Sequence, residues 1–260
     1  MNRIASILVM HSRDRVSWFV VPASVLGAGF AIVLVIALLI LLLLGSGTPI
    51  YTGAVAAFYF VMLAEGFGAV TGTFPFAVGF GARRRDFVLG TLAMAAAVSA
   101  AWAVLLGLLS FIEASVLPNW GVGLHFFRLP FFSDGLPLRQ FCWSYYHDMA
   151  CAQANPTYFN HGSSLQQFWV YFAFLLFMSL LGVFLGSIFQ RFGRFGMYTC
   201  AGIAFLLLSL FVLLSTYWNW WGTIFGWLAQ QNAAALGLWL VPLMALCALA
   251  SYALLHKATV

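Results

Sequence analysis

With 260 residues, 64% of them hydrophobic and only 7% charged, and a mean hydropathy of +1.01, this chain is excluded from the class of soluble globular domains. Its apolar runs are long enough to cross bilayer hydrocarbon, which takes about 20 apolar residues for roughly 30 Å, so the expected class is an all-α membrane protein. The formal charge of +5 does not point to nucleic acid, because the basic residues sit at the ends of the apolar runs, where they orient spans.

Taken in chain order, Met1 to Ser17 places Arg3, Ser6, Arg13, Asp14 and Ser17 at steps near three and four, with Ile4, Ile7, Leu8 and Val9 between them. That spacing predicts an amphipathic helix lying on the membrane surface. A basic leader that only fixes orientation is the alternative, since His11 and Ser12 interrupt the apolar face. The first apolar run extends for about 26 residues, against roughly 7 to 15 in a signal-peptide core, and is expected to stay in the mature protein.

Six spans are expected. The first covers Trp18 to Leu44 and stops at the uncharged turn Gly45 to Pro49. The second, Tyr51 to Phe74, leads through Pro75 to three consecutive arginines, and its glycines Gly66, Gly68 and Gly72, with Gly79 and Gly81 beyond, suggest close packing or a bent end. The third starts at Asp86, read as an N-cap, and runs through an alanine-rich stretch to Ile112. The fourth covers Phe168 to Phe189, the turn QRFGRFG follows, and the fifth covers Met197 to Tyr217. An aromatic connection holding Trp218, Trp220, Trp221 and Trp227 leads to the sixth, Ala233 to Leu255.

Residues 113–167 form the one long segment outside the spans, with apolar pieces too short to cross. Within it, Leu138 to Gln153 is expected to form a short helix at headgroup level bearing Phe141, Trp143, Tyr145 and Tyr146. Arg3, Arg13, Arg15, Arg83, Arg84, Arg85, Arg191, Arg194 and Lys257 fall on one side, and only Arg128 and Arg139 on the other. The positive-inside rule then makes both termini and both arginine turns cytoplasmic, and residues 113–167 an extracytoplasmic loop of a single transmembrane domain spanning 1–260.

Three arginines cannot rest in hydrocarbon, so the turn from Gly81 to Phe87 must reach water or a protein surface. They act either as topological anchors or, with flexible glycines and Phe87, as a docking element in which the aromatic anchors and the charges steer. Glu65 is the one acidic residue well inside a span. It is either part of a polar pathway together with Thr71 or a carboxyl satisfied by a neighbouring helix.

The run FPFAVGFGARRRDFVLG, Phe74 to Gly90, together with LGVFLGSIFQRFGRFGMY, Leu181 to Tyr198, resembles permease subunits of bacterial ABC transporters of the type-2 exporter superfamily. Gly81, Arg84, Arg85, Asp86 and Phe87 match that family's first cytoplasmic loop, and Gly186, Arg191, Phe192, Gly193 and Arg194 its second. The resemblance implies a coupling helix at residues 79–87 docking on an ATPase subunit, two permeases assembled with two ATPases, and export of a hydrophobic or amphipathic substrate across the bacterial inner membrane. The long loop here joins the third and fourth spans, whereas many members carry theirs between the last two.

No G-x-x-x-x-G-K-[ST] motif occurs and the single lysine is Lys257, so ATP and its Mg are expected on a separate ATPase polypeptide, with no cofactor and no enzymatic site in this chain. Cys142 and Cys151, on the outer side, form a disulfide only if the chain turns between them, because on one regular helix they stand about 13 Å apart. His125, His147, Asp148 and His161 match no metal-ligand spacing. Intramembrane hydrolysis lacks its motif, since Ser187 follows Gly186 but precedes Ile188, and His256 is terminal. The remaining alternatives are a non-transporting membrane scaffold and an ATP-independent secondary transporter, the latter disfavoured because no inverted repeat is visible. One six-helix unit offers little interior for a pathway, so a two-fold dimer of permeases in membrane lipid is expected.

Overall fold

A computed structural model describes residues 7, 10–11, 16–45, 50–127, 164–231 and 233–256. A π-helical turn, Val16–Val20, leads into α1, Val21–Leu44, with a proline in its first turn where the missing N–H costs nothing. Gly45 closes α1 in the left-handed conformation at φ 62°, returning its N–H to the carbonyl of Leu41. After β1, Ile50–Tyr51, come α2, Val55–Thr71, α3, Phe74–Gly79, and α4, Arg84–Phe111. A π turn at Ile112–Val116, a 3-10 turn at Pro118–Gly121 and β2, Leu124–His125, follow. The chain continues with α5, Ser164–Tyr217, α6, Trp221–Gln230, and α7, Ala233–His256.

Among the described residues, five helical segments are long and apolar enough to cross a membrane: Val16–Leu43, Val55–Gly79, Arg84–Phe111, Gln167–Tyr217 and Ala234–His256. The fourth is the exceptional one. It lies in α5, whose 54 residues as a straight helix would measure about 80 Å, far beyond any bilayer, and the backbone of α5 breaks at Gly193 with φ 67° and ψ −162°. Only glycine adopts that conformation without strain. The seven-residue turn expected at QRFGRFG is therefore a one-residue break, because Gln190, Arg191 and Phe192 continue the helix before it and Arg194 restarts the helix after it.

The second apolar run has the bent end that its glycines allowed: Thr71 and Thr73 turn their hydroxyls back to the carbonyls of Phe67 and Ala69, the helix stops, and Pro75 opens the separate α3. One further expectation is corrected: α4 begins at Arg84 with Arg83 at the N-cap, so Asp86 lies in the first turn rather than capping it.

Three glycines set the core. A Cβ at Gly66 would collide with the carbonyl oxygen of Ser179, and one at Gly182 with that of Leu63. One at Gly186 would stand 3.0 Å from the carbonyl oxygen of Phe67. Backbone therefore lies on backbone between α2 and the first half of α5, the small-residue packing that helices use where lipid removes the hydrophobic driving force. Among the glycines read as packing residues, Gly66 fills that role, while Gly68 and Gly79 face open space. Just before α2, the chain forms a parallel pairing of Ile50 with Leu124 and Tyr51 with His125. In contrast, the second half of α5 exposes nearly its whole circumference, including Phe205, Leu206, Leu208 and Leu213.

Candidate functional site at the arginine end

The first arginine turn is built by α3 and the start of α4. Phe80 ends α3, Gly81 reverses the chain at φ 82°, and Arg83 is extended at the N-cap of α4. Three arginines at the positive end of a helix oppose the macrodipole, which favours Asp86 there instead. Helix initiation thus gives no reason for them. Arg84 finds compensation elsewhere: its Nη1 donates to the carbonyl of His256 at 3.2 Å, placing a cation on the C-terminal end of α7. Arg83 and Arg85 stay exposed, and Asp86 is half-buried.

Phe87 does not serve as the expected surface anchor. Its ring is 0% exposed, packs edge-on against Phe74 at 5.2 Å between centroids, and meets the His11 ring at 5.9 Å. Val70, Ala77, Val88, Val183, Leu255 and Ile7 complete the same buried cluster. The exposed aromatics of this turn are Phe80, at 79%, and Phe76, whose rings pack against each other.

The helix leading to the second arginine turn is tied to the end of α2 by Gln190. Its Nε2 donates to the carbonyl of Thr71 at 2.9 Å, satisfying an acceptor released where α2 stops. Arg191 lies 5.0 Å over the ring of Phe192 in a cation–π contact, and Phe192, Arg194 and Phe195 project outward. One end of the bundle therefore presents Arg83, Arg85 and Arg194 among Phe80, Phe192 and Phe195, over a base tied to α2, α5 and α7.

The other expected site residues lie apart. Glu65 is half-buried on α2, more than one helical turn before Thr71, whose hydroxyl is engaged by its own helix. Cys142 and Cys151 lie outside the described residues, as do the helix expected at 138–153, His147, Asp148, His161 and Lys257. Of the N-terminal segment, Ile7 and His11 are buried rather than spread on a surface: His11 Nε2 lies 3.1 Å from the hydroxyl of Thr91, and its ring meets Trp18 edge-on. Gln190 and Glu113 are among the polar residues whose structural partners nothing in their local sequence identifies. Their signal was a polar side chain inside or beside an apolar run, where each needs a partner.

Chemically, this end offers cations and exposed aromatics on a base tied to neighbouring helices. Comparison of the chain with family models, with curated proteins and with solved structures found no match. The class defined by fold and site is a helical protein with long apolar segments suited to a membrane and one basic, aromatic end.

Proposed function

We propose that this chain is the membrane permease subunit of an ATP-driven exporter of the type-2 ABC class, coupled at its arginine end to a separate ATPase subunit. In this reading α5 is two spans meeting at Gly193, which brings the number of spans to six. Both termini and the arginine end face the cytoplasm of a bacterial cell, in agreement with the distribution of Lys and Arg. Two such chains and two ATPases make the working unit, ATP and Mg are held by the ATPases, and a hydrophobic or amphipathic substrate leaves on the far side. Nucleotide-driven motion of the ATPases enters through residues 79–87 and shifts the dimer between two conformations.

The observation that carries the reading is that the helix ends leading to two arginine turns, more than a hundred residues apart in sequence, are tied together at one end of the bundle through Gln190 and Thr71. Anchors that merely set topology need no such tie. Phe80, Arg83 and Arg85 are the contact residues, and Arg84 and Phe87 support them from behind. Replacing Arg83 and Arg85 together by Glu should release the ATPase from the purified complex while membrane insertion is unchanged. Retention of the ATPase by that variant, at wild-type stoichiometry, sinks the docking role.

A further inference from the structure

Glu113 is a buried carboxylate outside the proposed coupling machinery, at the end of the bundle opposite the arginines, with 1% of its surface exposed. Its Oε2 accepts the indole N–H of Trp120 at 3.1 Å and the backbone N–H groups of Phe126 at 3.3 Å and Phe127 at 2.8 Å. The Nδ1 of His125 stands 4.0 Å from its Oε1. From the other side the Tyr171 hydroxyl donates to the carbonyl of Phe127, and the Gln167 side-chain amide donates to that hydroxyl at 3.0 Å. Three donors converging on one carboxylate oxygen fix residues 120 to 127 around a single group.

The segment so held is turned inward. Leu124, Phe126 and Phe127 are buried and belong to the same apolar cluster as Val55, Phe58, Met62 and Trp102 of the spans, and Phe126 and Phe127 both pack on Phe30 of α1. Its backbone is also under constraint. Trp120, Gly121 and Gly123 all have positive φ, at 57°, 71° and 75°, and a tryptophan keeps that conformation only where its surroundings dictate it.

We infer that residues 118–127 are a plug closing this end of the bundle, and that Glu113 is the positioning residue that latches it. Removing the carboxylate leaves the Phe126 and Phe127 N–H groups without their buried acceptor and frees the strained turn at Trp120. The plug then withdraws, and the cluster around Val55 becomes reachable from water. Under the transport reading the plug is the gate on the releasing side. That last step rests on the function proposed above, whereas the latch itself does not.

The test uses the full chain in lipid nanodiscs without an ATPase, so that a missing ATPase partner overturns the transport reading and leaves this result intact. In a background with Cys142, Cys151, Cys200 and Cys247 replaced by Ser, Val55→Cys is reacted with a membrane-impermeant maleimide, and Val88→Cys, buried at the arginine end, serves as the reference. Adding Glu113→Ala should speed labelling at Val55→Cys at least about tenfold and leave Val88→Cys slow. Glu113→Gln, which keeps an acceptor oxygen, should fall between. If Glu113→Ala does not yield a monodisperse protein, Trp120→Phe removes one donor and should give a smaller increase at the same position. Unchanged labelling at Val55→Cys in the folded variants, or an equal rise at Val88→Cys, overturns the plug.

Discussion

Gln190 donates its side-chain N–H to the carbonyl of Thr71 at 2.9 Å, across 119 residues of sequence, and so fixes the end of one helix to the last turn before the break in another. The helix ends that lead to both arginine turns meet at that pair. Gln190→Leu should leave the Thr71 carbonyl without its donor, lower stability by about 1 to 3 kcal/mol and loosen the turns at both helix ends together. Thermal unfolding in detergent measures the first effect. Faster amide exchange at residues 71–74 and 191–195 together measures the second, and exchange confined to one turn would contradict the shared anchor.

Gly193 stands where φ is 67° and ψ −162°, a region that strains any other residue by about 1 to 3 kcal/mol. Gly193→Ala should therefore lower the melting temperature even though its Cβ meets nothing within 4 Å, because the cost lies in the backbone and not in packing. A neutral Gly193→Ala would mean that α5 runs straight.

Gly182 and Gly107 make a matched pair. A Cβ at Gly182 collides with the Leu63 carbonyl, so Gly182→Ala should force α2 and α5 apart and cost about 1 to 3 kcal/mol. Gly107, on α4, has open space around it, and Gly107→Ala should be neutral or stabilising by about 0.5 to 1 kcal/mol. Denaturant titration of the two proteins side by side distinguishes packing from composition.

Phe87 and Phe80 should part company in the same way. Phe87→Ala removes a ring buried between Phe74 and His11, and should cost about 3 to 5 kcal/mol in stability. Phe80→Ala removes an exposed ring, so its melting temperature should stay within about a degree or two of wild type while ATPase retention falls. Equal loss of stability in both would place Phe80 in the core.

The helices were legible because hydrophobicity of that length leaves few other structures, and because the arginines mark where the apolar runs stop. Details of the site were less legible for identifiable reasons. Phe87 looked like an anchor beside three arginines, since nothing local shows that His11, 76 residues earlier, covers it. The turn at QRFGRFG looked like a loop because charge and glycine usually end a helix, whereas Arg191 stays helical and rests over Phe192. Glu113 read as the first residue of a solvated loop, and only the inward return of Phe126 and Phe127 brings their N–H groups to it. For Phe87 and Glu113 a partner outside the local stretch decided what the side chain does.

Native mass spectrometry of the complex extracted from its own membrane in mild detergent decides whether the arginine end is the input from an ATP-hydrolysing subunit. The proposed coupling requires two copies of this chain with two copies of a Walker-motif ATPase, and dissociation of those ATPases when Arg83 and Arg85 are both replaced by Glu. Recovery of the folded chain with no ATP-hydrolysing subunit, or of an unchanged complex from that variant, would contradict it.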